Sequence, residues 1–216
     1  MDLKEAIEKR RSVRAYSDRA VGAGEIEEII SAGLRAPSAC DRRAWRFIVV
    51  DREEPKQRIF DEGGTRFIKD SPVGIIVLYD NRTDDLEYCD HIQSGAAAIQ
   101  NMLLAATALG IGSCWVCHLP YKKTMRALFA IPRWYEPIAY VALGYPAAPA
   151  GPRTPRERGP RDVTAWNRFD FEEGAPPSAV RLKARRAAKD IYFRLPLSLK
   201  KLLRSFAERF VVKFKE

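Results

Sequence analysis

With 216 residues, 46% hydrophobic and 30% charged, the chain can bury one substantial core, and its length favours one domain or one domain plus an appendage. Four cysteines in a chain of this length do not make a disulfide framework, and the first residues are charged, with no apolar signal stretch; a reducing, cytoplasmic compartment is expected. The net charge of +9 is uneven: Ser178 to Glu216 holds twelve Lys or Arg against three Asp or Glu and leaves 25 against 25 before it, so an acidic partner is expected at the tail.

In chain order, Asp2 to Arg10 has Leu3, Ala6 and Ile7 at helical spacing, with Glu5 and Lys9 opposite, which predicts a short helix docked on a core. It runs into Arg10-Arg11-Ser12-Val13-Arg14. Guanidinium forks match phosphate oxygens and keep their charge, so a fixed cluster of this kind is a candidate anion seat; the alternative is a solvated face at a helix C-terminus. Ile26, Ile29, Ile30 and Leu34 predict a helix that Pro37 stops, and Ala36 to Trp45 leads into a strand at Arg46–Val50. Val73–Tyr79 is a β-branched run fit for a buried strand. Ser94 to Leu109 predicts a long central helix, with Ser94 as its cap and Gly110 as its stop. Gly110-Ile111-Gly112-Ser113 follows and leads into a strand with Cys114 and Cys117. Tyr121–Phe129 predicts a further helix and Ile138–Leu143 a further strand. Residues 146–160, rich in Pro and Arg, are an extended connection, and Gly174-Ala175-Pro176-Pro177 is the expected boundary between a domain over 1–174 and an extension over 175–216.

The ordered set of the arginine segment, Pro37-Ser38-Ala39, Gln93 to Met102, the Gly112 turn and the Pro137 to Pro146 strand resembles the FMN-dependent nitroreductase family over roughly residues 1 to 170. The resemblance implies an α+β fold, a mixed sheet flanked by helices, in a homodimer with FMN at the interface. It implies that Arg10, Arg11, Ser12 and Arg14 meet the flavin phosphate, ribityl chain and pyrimidine edge, with Arg14 nearest N1 and the C2 carbonyl. A cation there stabilises the negative charge that reduction brings. Pro37, Ser38 and Ala39 match a second segment that reaches the partner subunit's flavin. Gly112 and Ser113 match a glycine turn near the ring, and one of Arg153, Arg156 and Arg158, with Arg158 favoured, returns to the phosphate.

Where the family usually has Asn, one residue, then Gln-Pro-Trp, this chain has Asp41-Arg42-Arg43-Ala44-Trp45. A carboxylate only accepts hydrogen bonds, so Asp41 could take one from flavin N3 but would oppose reduction near N1; the alternative is a surface pair with Arg42 or Arg43. Ser94 stands where many relatives have Asp.

The implied activity is transfer of hydride from NAD(P)H through FMN to a small electron-poor acceptor, a nitro or quinone-like compound. Two alternatives stay open: a slow or non-catalytic flavin-binding interaction protein that acts through its tail, and a divergent relative that consumes flavin or dehalogenates. No dinucleotide fingerprint is present, because Gly110-Ile111-Gly112 closes a helix instead of opening one, so NAD(P)H would visit the flavin pocket. Cys114 and Cys117 should point to opposite faces of a strand and pack, and neither they nor His91 and His118 have metal-site spacing, so no metal is expected. In the tail, Leu199, Leu202, Leu203, Phe206, Phe210 and Phe214 share one helical face, with Lys200, Lys201, Arg204, Arg209, Lys213 and Lys215 on the rest. Such a helix over 197–215 suits packing on its own dimer or the inner surface of an anionic membrane; no nucleic-acid motif accompanies it.

Overall fold

The computed structural model describes residues 1–82, 87–149, 151, 159–171, 178–200 and 203. They fall into two compact units, one of Met1–Ala148 with the chain from Pro196 onward, the other of Pro149–Leu195. The expected boundary at 174–177 lies outside the described residues.

In the first unit the elements run α1 (Leu3–Lys9), α2 (Ala23–Leu34), a 3-10 turn (Ala39–Asp41), β1 (Trp45–Val50), α3 (Glu53–Asp61), α4 (Arg66–Asp70), β2 (Val73–Asp80), α5 (Asp90–Ala108), β3 (Gly112–Val116), α6 (Lys122–Phe129) and β4 (Tyr135–Gly144). The second unit holds a 3-10 turn (Pro160–Val163) and α7 (Ala179–Arg194).

The α+β fold is as expected, and its sheet, in the order β1-β2-β4-β3, is antiparallel at every strand pair. Its mixed character reduces, among the described residues, to one parallel bridge between Ser12 and Ser113 beside the β3 edge. The arginine segment follows β3 for that bridge alone, because Tyr16 then turns to bridge Pro146.

Helices cover both faces of the sheet. Ile75 and Val77 pack with Ile29, Ile99, Met102 and Leu103 of α2 and α5, whereas Ile76 and Leu78 pack with Ile59, Ile68 and Met125 of α3, α4 and α6. All eight residues of β2 are therefore buried, which is why Val73–Tyr79 is a continuous apolar run without alternation, ended by the buried Asp80.

Two boundaries differ from expectation. α5 starts at Asp90, after Cys89 in a left-handed conformation, so Ser94 lies buried inside the helix and does not cap it. Gly110, at φ 74°, does stop it. α1 docks through Ala6, while Leu3 and Ile7 stay 68% and 52% exposed.

Candidate functional site

The arginine segment is fixed by its backbone. The Val13 N–H donates to the Ser113 carbonyl at 2.9 Å, and the Tyr16 hydroxyl donates to the Val13 carbonyl at 2.7 Å. Gly112 makes this approach possible, since a Cβ there would lie 2.8 Å from Val13 and 3.0 Å from the Gly144 carbonyl oxygen. The missing side chain thus makes room for the segment itself. Arg14 lies over the Phe67 ring at 5.1 Å, a contact that aims its guanidinium.

Beneath the segment sits Cys114, 3% exposed, whose thiol burial pushes up from its ordinary value while Arg14, the Ser12 hydroxyl and Arg10 pull it back. Ser12 bridges Ser113 here, which brings the segment alongside the start of β3. Ser113 is 2% exposed, and its Oγ has no partner among the described residues. A guanidinium-rich segment clamped on β3 at Ser113, whose buried hydroxyl is unsatisfied, suits a phosphate and a polar ring edge, so these residues fit FMN.

The Pro37-Ser38-Ala39 loop is fixed differently. The Ala39 N–H donates to Ser94 Oγ at 3.1 Å, and Trp45 Nε1 donates to the Ser94 carbonyl at 2.9 Å, so one buried serine of α5 holds both ends of the turn. Ser38 Oγ accepts from the Arg43 N–H at 3.0 Å. Cys40, Asp41 and Arg43 all have φ near 50°, a left-handed region that non-glycine residues seldom occupy. Asp41 forms a bidentate, exposed pair with Arg43 at 2.7 Å, the surface arrangement that stood as its alternative, and the carboxylate holds the Arg43 guanidinium above its ordinary value. Arg42 turns instead toward the buried Asp80, 3.9 Å away, which Arg82 holds below the usual carboxylate range.

The two segments occupy opposite corners of the sheet. Gly95, next to Ser94, packs at Ile138, near the start of β4, where a Cβ would meet Ile138 at 2.9 Å. Ser113 pairs with Leu143 near its end. At about 3.4 Å per residue these points are roughly 17 Å apart along the strand, and β1 and β3 are the two sheet edges, roughly 14 Å apart at about 4.8 Å per strand. One chain therefore does not bring Arg10–Arg14 and Pro37–Asp41 together.

Arg153, Arg156 and Arg158 lie outside the described residues. Cys114 is buried and Cys117 exposed, both as free thiols; β3 ends at Val116, so Cys117 follows the strand instead of lying on it. His91 is buried with Nε2 3.4 Å from Glu136, whose carboxylate also meets Lys122; His118 is exposed. Among the described residues no group of three or more His, Cys, Asp or Glu could hold a metal, and no helix is long and apolar enough to cross a membrane.

Sequence reasoning missed Tyr16, Phe67 and the part played by Ser94. Tyr16, two residues after Arg14, carried a signal; Phe67 is distant in sequence and carried none.

The nitroreductase family profile matches residues 7–63 and 54–145. A putative NADH dehydrogenase/NAD(P)H nitroreductase of Methanothermobacter thermautotrophicus is 40% identical over 157 residues, 71% of this chain and 82% of the relative. Among solved structures, a putative NADH dehydrogenase/NAD(P)H nitroreductase of Parabacteroides distasonis is similar with a TM-score of 0.67 and 31% identity, over 77% of this chain and 98% of the other. A putative nitroreductase in complex with FMN from Desulfovibrio desulfuricans has a TM-score of 0.63 and 29% identity, over 82% and 99%.

Proposed function

The chain belongs to the nitroreductase family, and on that premise we propose that it is an FMN-dependent oxidoreductase, passing hydride from NAD(P)H to a small electron-poor nitro or quinone-like acceptor. The observation that carries the reading is the arginine segment clamped on β3 beside the unsatisfied Ser113 hydroxyl. FMN supplies the two-electron chemistry when bound. In this proposal Arg10, Arg11 and Ser12 take the phosphate and ribityl chain, and Arg14, steadied by Phe67, sets a fixed cation at the pyrimidine edge.

The opposite-corner placement supports a homodimer in which Pro37, Ser38, Ala39 and Asp41 of one subunit complete the site built on Gly112 and Ser113 of the other. Arg158 keeps its proposed place at the phosphate. The apolar Leu3 and Ile7, exposed on α1, are surface that a partner would cover. The extension from residue 175 stands outside this chemistry and is proposed to meet the inner, anionic membrane surface.

The test is purification, an absorbance spectrum and an anaerobic titration. A yellow protein whose flavin is bleached by NAD(P)H within seconds is expected; flavin that stays oxidised under NAD(P)H would instead favour a binding protein.

A further inference from the structure

α7 is a basic helix whose described side chains are nearly all exposed. It is 16 residues long, just past the length of about 12–15 residues below which an isolated helix is marginal in water. Of its described side chains Tyr192 alone is half-buried and the rest are exposed. Val180 and Ile191, 76% and 63% exposed, share a stripe with Ala184, Ala187 and Ala188 at positions i, i+4, i+7, i+8 and i+11. Lys183 and Arg194 flank that stripe, and residues 179–194 carry six Lys or Arg against the single acid Asp190.

Lys200, beyond Pro196, behaves otherwise. Expected on the solvent face of the basic helix, it is 7% exposed and pairs with Glu62 at 3.2 Å. Its amide donates to the Pro196 carbonyl at 3.0 Å. This cation is committed to the C-terminal end of α3 and is withdrawn from any outside contact.

We propose that α7 contacts an anionic lipid surface, lying flat with Val180, Ala184, Ala187 and Ile191 toward the acyl boundary and its cations among the headgroups. This rests on the reading of the extension as the membrane-facing part of the chain. A stripe made mostly of alanine buries too little apolar area to hold a protein partner alone, and an excess of five positive charges opposes pairing with a second α7. Charge complementarity with a lipid surface meets both conditions.

The experiment is co-sedimentation of the full-length, FMN-loaded protein with phosphatidylglycerol or phosphatidylcholine vesicles, alongside V180D/I191D and K183E/R186E. The wild type should bind the anionic vesicles only and lose roughly tenfold or more of that binding as salt rises from about 0.1 to about 0.5 M. Both variants should lose binding at least about tenfold while keeping flavin content and helical circular dichroism. Wild-type binding that V180D/I191D leaves intact would overturn the α7 assignment and spare the membrane reading. A wild type indifferent to both lipids would overturn both, as would sedimentation velocity showing that V180D/I191D breaks a dimer.

Discussion

The two segments expected to share one flavin are built by different means. Arg10–Arg14 is held by main-chain bonding to an edge strand, by a glycine that leaves space for Val13, and by Tyr16 closing on the Val13 carbonyl. Pro37–Arg43 is held by side chains, chiefly Ser94, around a turn with three left-handed residues. A strand edge gives a cation cluster a rigid base, which electrostatic recognition needs. A serine-tethered turn gives adaptable contact at an edge of the ligand, and in the proposed dimer it would meet the base that a second subunit supplies.

That contrast can be broken first at the arginines. Arg10→Ala should weaken FMN binding by about 1.5–3 kcal/mol, the value of a charge-assisted bond, with the fold unchanged; equilibrium flavin fluorescence titration checks it, and unchanged affinity removes Arg10 from the site. Next in size, Gly112→Ala drives a methyl into Val13 and the Gly144 carbonyl. Overpacking of that kind costs about 1–3 kcal/mol, so denaturant melts should show the loss and flavin should leave before the chain unfolds.

At the other corner, Ser94→Ala leaves the Ala39 N–H without its acceptor, and about 0.5–1.5 kcal/mol of stability should go. Its flavin loss should be smaller than that of Arg10→Ala, and equal losses would blur the distinction between the two corners.

Alkali should act on the arginine corner through Tyr16. Burial first, then Cys114 and Tyr140, raise Tyr16 well above its ordinary value, with Arg14 opposing. A raised phenol favours the neutral folded form, so its contribution is complete below about pH 10, where the unfolded chain begins to ionise, and is lost as pH climbs beyond. Melting temperature and flavin retention between about pH 9 and 11 should fall in the wild type and fall less in Tyr16→Phe. The smallest effect is expected for Asp41→Asn, whose exposed pair with Arg43 should leave stability unchanged within error. A shifted flavin potential in that variant would show that Asp41 also faces the ring.

Much of this was legible in the sequence because core residues advertise themselves. Ile29 and Met125 on helical periods, Gly110 as a stop and the Val73–Tyr79 run located α2, α6, the end of α5 and β2. What stayed hidden depended on contacts between distant residues. Ser94 has the chemistry of a cap, and only the turn at Ala39 and Trp45, about fifty residues away, makes it an anchor inside the helix. Lys200 looked solvent-facing by its helical phase, and Glu62 reverses that. Gly112 was recognised as a close approach, but what approaches is Val13 of the same chain. The antiparallel sheet also follows from long-range pairing, which local pattern does not encode.

Central to the account is that one flavin takes Arg10–Arg14 from one subunit and the Pro37–Asp41 loop from the other. The direct measurement is flavin stoichiometry in a co-purified heterodimer, one subunit carrying R10A/R14A and the other A39D/S94A, each pair of substitutions having been shown to empty its own homodimer. A shared site puts both defects in one pocket and neither in the other, so flavin should return at one per dimer, with NAD(P)H bleaching it. A heterodimer as empty as its parents, or a monomer that keeps stoichiometric flavin, would contradict it.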